Sequence, residues 1–222
     1  MSIAIAIDGP AGAGKSTIAK AAARSLGFIY VDTGAMYRSI GLFVLRNGVA
    51  PDDRENVVPL LKVLKLSLAR NDKGEQLVLI GDEDVSGLIR TEQVSMAASK
   101  VSAIPEVREY LLGVQRDMAK TENVIMDGRD IGTVVLPDAK VKIFLTASAE
   151  IRAKRRFDEL AAKGETVSYD DVLRDVKERD FNDMNRPIAP LKPAEDSILV
   201  DTSELSLEES IRLLINTIKE KI

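Results

Sequence analysis

The stretch "DGPAGAGKST", residues 8–17, decides how the rest of the chain is read. Gly9, Gly14, Lys15 and Ser16 satisfy the spacing G-x-x-x-x-G-K-[ST], with Pro10, Ala11, Gly12 and Ala13 between and Thr17 after. Glycines let the backbone wrap so that its N–H groups face an anion, and a helix starting at the end of the loop adds its partial positive charge. A lysine at this position reaches β- and γ-phosphates, and the hydroxyl that follows can sit on Mg²⁺. The pattern has this meaning only between a strand and a helix. Both are predicted here: residues 3–7, IAIAI, read as a buried strand, and residues 16–26 as a helix closed by Gly27 in a left-handed cap.

Working outward, apolar runs alternate with helical patterns. Further strands are predicted at 28–31, 124–126, 141–145 and 198–200, making five. Pro105 suits the first turn of a helix that continues through Val107, Leu111 and Met118. Ser206 and Glu209 form an S-x-x-E capping box ahead of Ile211, Leu214, Ile215 and Ile218. Short apolar strands separated by helices argue for a parallel sheet covered on both faces, an α/β fold in three α/β/α layers. One segment breaks the alternation. Leu64, Leu66 and Leu68 alternate with Lys65 and Ser67, a turn is expected at 71–74, and 77–80 returns, so a hairpin is inserted near 64–90 behind a helix at 54–63. No internal repeat or low-complexity segment interrupts the chain.

Composition narrows the chemistry. The 222 residues are 45% hydrophobic and 30% charged, ordinary for a globular protein with a real core. The net charge of −4 argues against an extended nucleic-acid footprint. No cysteine is present, which removes disulfides, thiolate metal sites and a cysteine nucleophile. No histidine is present either, so a histidine general base or ligand is excluded. The first residues lack a basic stretch and do not read as a signal peptide, and no apolar run approaches the ~20 residues that span a bilayer. A cytoplasmic protein without a membrane partner is expected.

The second acidic group of such a site is expected at Asp127, where the apolar run of "VIMDGRDIGT", residues 124–133, ends. Arg129 and Asp130 follow in a glycine-flanked loop, at the strand end where ligands bind in these sheets. Arginines recur at 38, 108, 129, 152, 155, 156, 179 and 186. Transfer of a phosphoryl group between two anions needs cations on both sides of it, and guanidinium forks suit that task. A nucleotide switch is the competing reading. It lacks an N-K-x-D segment, and its D-x-x-G candidate, residues 84–87, lies in the insert. A kinase for another small acceptor, such as AMP, UMP or shikimate, is the other.

Together these segments resemble the bacterial cytidylate kinases, nucleoside monophosphate kinases of the P-loop class. The similarity is carried by "IDGPAGAGKST" (7–17), "VDTGAMYR" (31–38), "GDEDVSGLIRT" (81–91), "VREYL" (107–111), "DGRDIGTVVLPDAKVKIFLTA" (127–147) and "RDFNDMNRPIAPL" (179–191). The resemblance implies one P-loop kinase domain over 1–222 that transfers the γ-phosphoryl group of ATP to CMP and dCMP. Within it, it implies a small α+β nucleoside-monophosphate region at about 35–120 and a short helical lid at about 152–186, with Lys163-Gly164 at its tip. ATP would be held by residues 9–17 with Arg152, Arg155 and Arg156, and Mg²⁺ by Ser16. Arg38, Arg129 and Arg186 match residues that clamp the acceptor phosphate. Ser99, Arg108 and Asp130 match those around cytosine, whose N4 donor suits a carboxylate. Arg179 and Asp183 match positions at the ribose or phosphate, and Thr33 stands where some members carry serine. Lys15, Asp127, Arg129 and Arg186 would carry catalysis, and a monomer is expected.

Overall fold

The structure, a computed structural model, describes residues 2–71 and 76–222, so most of the turn expected at 71–74 lies outside the described residues. The chain divides into two units, one formed by the residues up to Ile29 with Glu122–Ile222, the other by Tyr30–Thr121.

The first unit is built on β1 (Ala4–Asp8), which runs straight into the phosphate-loop motif and α1 (Lys15–Leu26). Gly27, at φ 70°, closes that helix as expected. Strand β2 (Ile29–Asp32) ends the first stretch of this unit and begins the second unit. The five-stranded sheet has the order β2-β6-β1-β7-β8, with β6 (Val124–Gly128), β7 (Val141–Thr146) and β8 (Ile198–Asp201) at the expected places. β1 pairs in parallel with β6 and β7, and β7 with β8. Ile5, Ile7, Ile125, Met126, Ile143 and Leu145 are fully buried, which is why the inner strands read as continuous apolar runs instead of alternating ones. The amphipathic α8 (Leu207–Lys219) packs on α1 through Leu214 and Ile218, and its Ser206–Glu209 capping box is formed. Between β7 and β8 lie α6 (Ala149–Ala162) and α7 (Tyr169–Asn185), packed together around Ala153, Leu160 and Val172.

The second unit contains α2 (Thr33–Arg46), α3 (Arg54–Leu61), β3 (Leu66–Arg70), β4 (Gln76–Ile80), β5 (Glu83–Asp84), α4 (Glu92–Val101) and α5 (Pro105–Thr121). α3 stops two residues short of expectation, the chain leaving it through tighter bonds from Lys62 N to the Pro59 carbonyl and from Val63 N to the Leu60 carbonyl. β3 and β4 form the expected antiparallel pair, and β5 adds a third strand. Two exposed acidic residues carry no apolar signal, so β5 was invisible to periodicity. The sheet closes over Ala35, Val78, Val85, Ile89 and Val94. Among the described residues, no helix is long and apolar enough to cross a membrane.

Candidate active site

The phosphate loop is shaped by close approach. Gly9 has φ +150°, and a Cβ there would fall 1.9 Å from the Leu145 carbonyl oxygen, so only glycine lets the chain leave β1 this tightly. Lys15, 5% exposed, folds back to donate to the Pro10 carbonyl at 2.7 Å. Burial, with the nearby charge of Arg129, lowers its pKa to about 7 against the pull of Asp127, Asp183 and Asp8. The parallel register sets Asp127 beside Ile7, and its Oδ2 accepts from the Ser16 hydroxyl at 2.8 Å. The loop lysine, the first helical hydroxyl and the strand-end carboxylate are thus one cluster, as expected from the motif.

Asp8 is a residue the sequence reading passed over, although it opens the quoted stretch. Its two carboxylate oxygens accept from the backbone N–H groups of Ile131 and Gly132, both at 2.7 Å. It thereby fixes the start of a wide helical turn at Ile131–Val135 and the Arg129–Asp130 segment just before it. Burial raises the Asp8 pKa to about 6, although those two bonds and Lys15 oppose the rise.

Four further expected residues meet beside this turn. Arg129 Nε donates to Asp183 Oδ2 at 2.8 Å, and Arg186 Nη2 reaches Asp130 Oδ1 at 3.3 Å. Burial works to raise the Asp183 pKa, but the charge and hydrogen bond of Arg129, with Arg179 and Arg186, win and hold it below the ordinary carboxylate value. Arg186 Nε also donates to the Ala189 carbonyl at 2.7 Å. Ala189, at φ 48°, is the only non-glycine at positive φ among the described residues, so this segment carries local backbone strain.

The arginines of α6 divide. Arg155 Nη2 donates to the Thr202 carbonyl at 3.0 Å, and Arg156 pairs with Glu159 at 3.1 Å. Arg152, expected among the groups that hold ATP, is 4% exposed and donates to the carbonyls of Ala147 and Ala11 and to Asp180. Sequence reasoning missed Asp180, which sits in the quoted "RDFNDMNR" segment without a spacing rule to single it out.

In the second unit, Asp32 caps α2, accepting from Ala35 N at 2.8 Å, and pairs with Arg38 at 2.9 Å. Gln76 of β4 brackets the Asp32 backbone, accepting its N–H at 3.0 Å. Thr33 is buried at the start of the helix. The Nε of Arg38 is buried with no hydrogen-bond partner, a donor turned to a place no protein acceptor fills. Ser99 and Arg108 converge on Ser102: the Ser102 hydroxyl donates to the Ser99 carbonyl at 2.7 Å, and Arg108 Nη1 donates to the Ser102 carbonyl at 3.3 Å. The Arg108 guanidinium lies 5.7 Å from the Tyr37 ring centroid, a cation–π contact that orients it. Asp130 belongs to the other unit.

Comparison with known proteins bears on this arrangement. The cytidylate kinase family profile matches residues 5–220. A cytidylate kinase of Caldicellulosiruptor bescii is 55% identical over 213 residues, covering 96% of this chain and 94% of that protein. One of Carboxydothermus hydrogenoformans is 52% identical over 98% of this chain and 97% of its own length. Among solved structures, a shikimate kinase of Bacteroides thetaiotaomicron superposes with a TM-score of 0.50 at 15% identity, covering 98% of both chains. A protein of Eubacterium ventriosum superposes with a TM-score of 0.53 at 12% identity, covering 98% of this chain and 99% of its own. These two likenesses are of fold alone. Profile and relatives agree along almost the whole sequence, and the chain belongs to the cytidylate kinase family.

Proposed function

We propose that this protein transfers the terminal phosphoryl group of ATP to CMP and dCMP, giving ADP and the corresponding diphosphate. The observation that carries the mechanism is the Lys15–Ser16–Asp127 cluster set beside a field of paired arginines, in a chain with no histidine. The acceptor is a phosphate oxygen already ionised at neutral pH, so no general base is needed. Catalysis is then positioning, neutralisation of charge and exclusion of water.

On the donor side, residues 9–17 cradle the polyphosphate, Lys15 leaves the Pro10 carbonyl for it, and Arg155 and Arg156 meet the nucleotide from α6. Ser16 and Asp127 fit a magnesium ion. One hydroxyl and one carboxylate suit a cation that keeps several waters and takes its remaining oxygens from phosphates. Held by Ser16 and Asp127, such an ion would supply positive charge to the polyphosphate. Among the described residues there is no larger acidic cluster that would hold a metal by protein ligands alone.

On the acceptor side, Arg38, Arg129 and Arg186 bind the phosphate, a reading supported by the buried, unpartnered Nε of Arg38. Arg129 and Arg186 are both held by carboxylates that a phosphate can replace. Asp183 and Arg179 take the ribose region. Ser99, Arg108 and Asp130 read the base, the carboxylate accepting from the cytosine amino group. The protein is proposed to act as a monomer.

The test is ADP release from ATP and Mg²⁺ with CMP, dCMP, UMP, AMP, shikimate or buffer alone. Turnover concentrated in the CMP and dCMP wells is expected. Equal, slow release in every well means hydrolysis without transfer and overturns the proposal.

A further inference from the structure

Arg152, 4% exposed, is a buried cation outside the phosphate cluster, and of its partners Asp180 has no part in the reaction described above. Nε donates to the Ala147 carbonyl at 2.8 Å. Nη1 donates to the Ala11 carbonyl at 3.0 Å and to Asp180 Oδ1 at 2.9 Å. Nη2 donates to Asp180 Oδ2 at 2.5 Å. The pair is bidentate and nearly dry, the two side chains being 4% and 15% exposed. Turning this guanidinium to a nucleotide would break its bonds to the Ala147 and Ala11 carbonyls as well as both bonds to Asp180.

What it touches is the phosphate loop. In a trans peptide, C=O and N–H point in opposite directions, so anchoring the Ala11 carbonyl on Arg152 turns the Gly12 N–H the other way. Gly12 has φ +74°, and a Cβ there would lie 3.5–4.0 Å from the Cβ, Cγ and Cδ of Arg152. The aliphatic stem of the arginine is therefore the floor on which the loop's second glycine rests. Asp180, from α7, holds that floor in place.

We propose that Arg152 and Asp180 are positioning residues that hold the phosphate loop in its nucleotide-accepting shape, with Arg152 acting through Ala11 and Gly12 and not on the nucleotide. The inference rests on the donor-site reading above and adds a residue, Asp180, to it. It also gives Arg152 a different task from the one its place in the sequence suggests.

The sign of one substitution separates the two tasks. Asp180→Asn removes a negative charge near the polyphosphate and releases Arg152. If Arg152 were a direct ligand, ATP would bind as well as before or more tightly. If the pair shapes the loop, ATP binds more weakly although the site has become more positive. The expected result, in Asp180→Asn protein shown by its unfolding transition to be folded, is a rise of about fivefold or more in the ATP dissociation constant by calorimetry and in KM for ATP, with KM for CMP within about twofold of wild type. A merely structural role would move both substrates alike or neither. Asp180→Glu keeps the charge but lengthens the carboxylate arm and displaces the fork, so the same selective rise is expected in it, whereas direct ligation by Arg152 would leave ATP binding as in wild type. This variant decides the matter should Asp180→Asn not fold. Unchanged or tighter ATP binding in a folded variant, with wild type active, overturns this inference alone. Wild-type protein that does not bind ATP overturns the donor-site reading and the inference with it.

Discussion

At the scale of single residues, the proposed chemistry turns on a lysine whose surroundings leave its proton loosely held. Lys15 titrates near 7 because it is buried beside Arg129. A bound polyphosphate supplies the missing negative charge and restores the ammonium form. ATP binding at pH 8 is therefore expected to take up protons, approaching one per site. Calorimetry in buffers of different ionisation enthalpy reads this directly as a buffer-dependent binding enthalpy. In Lys15→Ala the uptake is lost, and turnover falls by about 10²-fold or more, the scale seen when one preorganised donor to a developing anion is removed. Uptake that persists in the variant assigns the proton to another group.

Whole elements carry the rest of the site by bringing residues into register. α7 is the clearest case. Asp180 faces Arg152 behind the phosphate loop, Asp183 one turn later pairs with Arg129, and Arg186 beyond the helix end reaches Asp130. One helix so holds both the donor loop and the segment after β6. α8 has a different duty: it carries none of the proposed ligands and covers α1. Ser206 caps it, donating its hydroxyl to Glu209 while Ser206 N donates to the same carboxylate at 2.9 Å and Glu209 N returns to the hydroxyl at 3.3 Å. Ser206→Ala is expected to lower unfolding stability by about 1 kcal/mol, read from the urea midpoint, with both KM values unchanged. A shift in KM for ATP would show that α8 influences the loop through α1.

For the molecule as a whole, stability and pH are linked through the buried Asp8. Its folded pKa of about 6 lies above the ordinary 3.8, so between those values the folded protein binds more protons than the unfolded chain. The group's contribution is fully present below about pH 4 and is lost as pH rises through 6, by roughly 3 kcal/mol. Asp183 runs the other way, its lowered pKa giving stability that is present above the ordinary carboxylate range and lost as pH falls. Comparing Asp8→Asn with wild type isolates the first effect. The stability difference between them is expected to shift in favour of the variant as pH rises from 4 to 7, read from denaturant midpoints across that range. Parallel curves would mean that Asp8 ionises normally.

Local pattern alone determined the five strands, the left-handed stop at Gly27, the box at Ser206 and the phosphate loop. Each depends on neighbours in sequence: an apolar run, a glycine free to take positive φ, a hydroxyl three residues before a glutamate. The residues of the loop cluster were legible for the same reason, since Lys15 and Ser16 are adjacent and Asp127 closes the apolar run of its own strand. Tertiary structure decided what those patterns could not carry. Whether Arg152 faces a ligand or Asp180 depends on how α6 packs on α7, 28 residues apart in sequence, and a helix reading "IRAKRR" looks solvated from its letters alone. The same holds for Asp8, whose partners Ile131 and Gly132 offer only backbone N–H groups and leave no trace in residue type. Side-chain identity records which chemistry is available; burial and partner geometry, which are properties of the packed chain, decide which of it is turned toward the nucleotide.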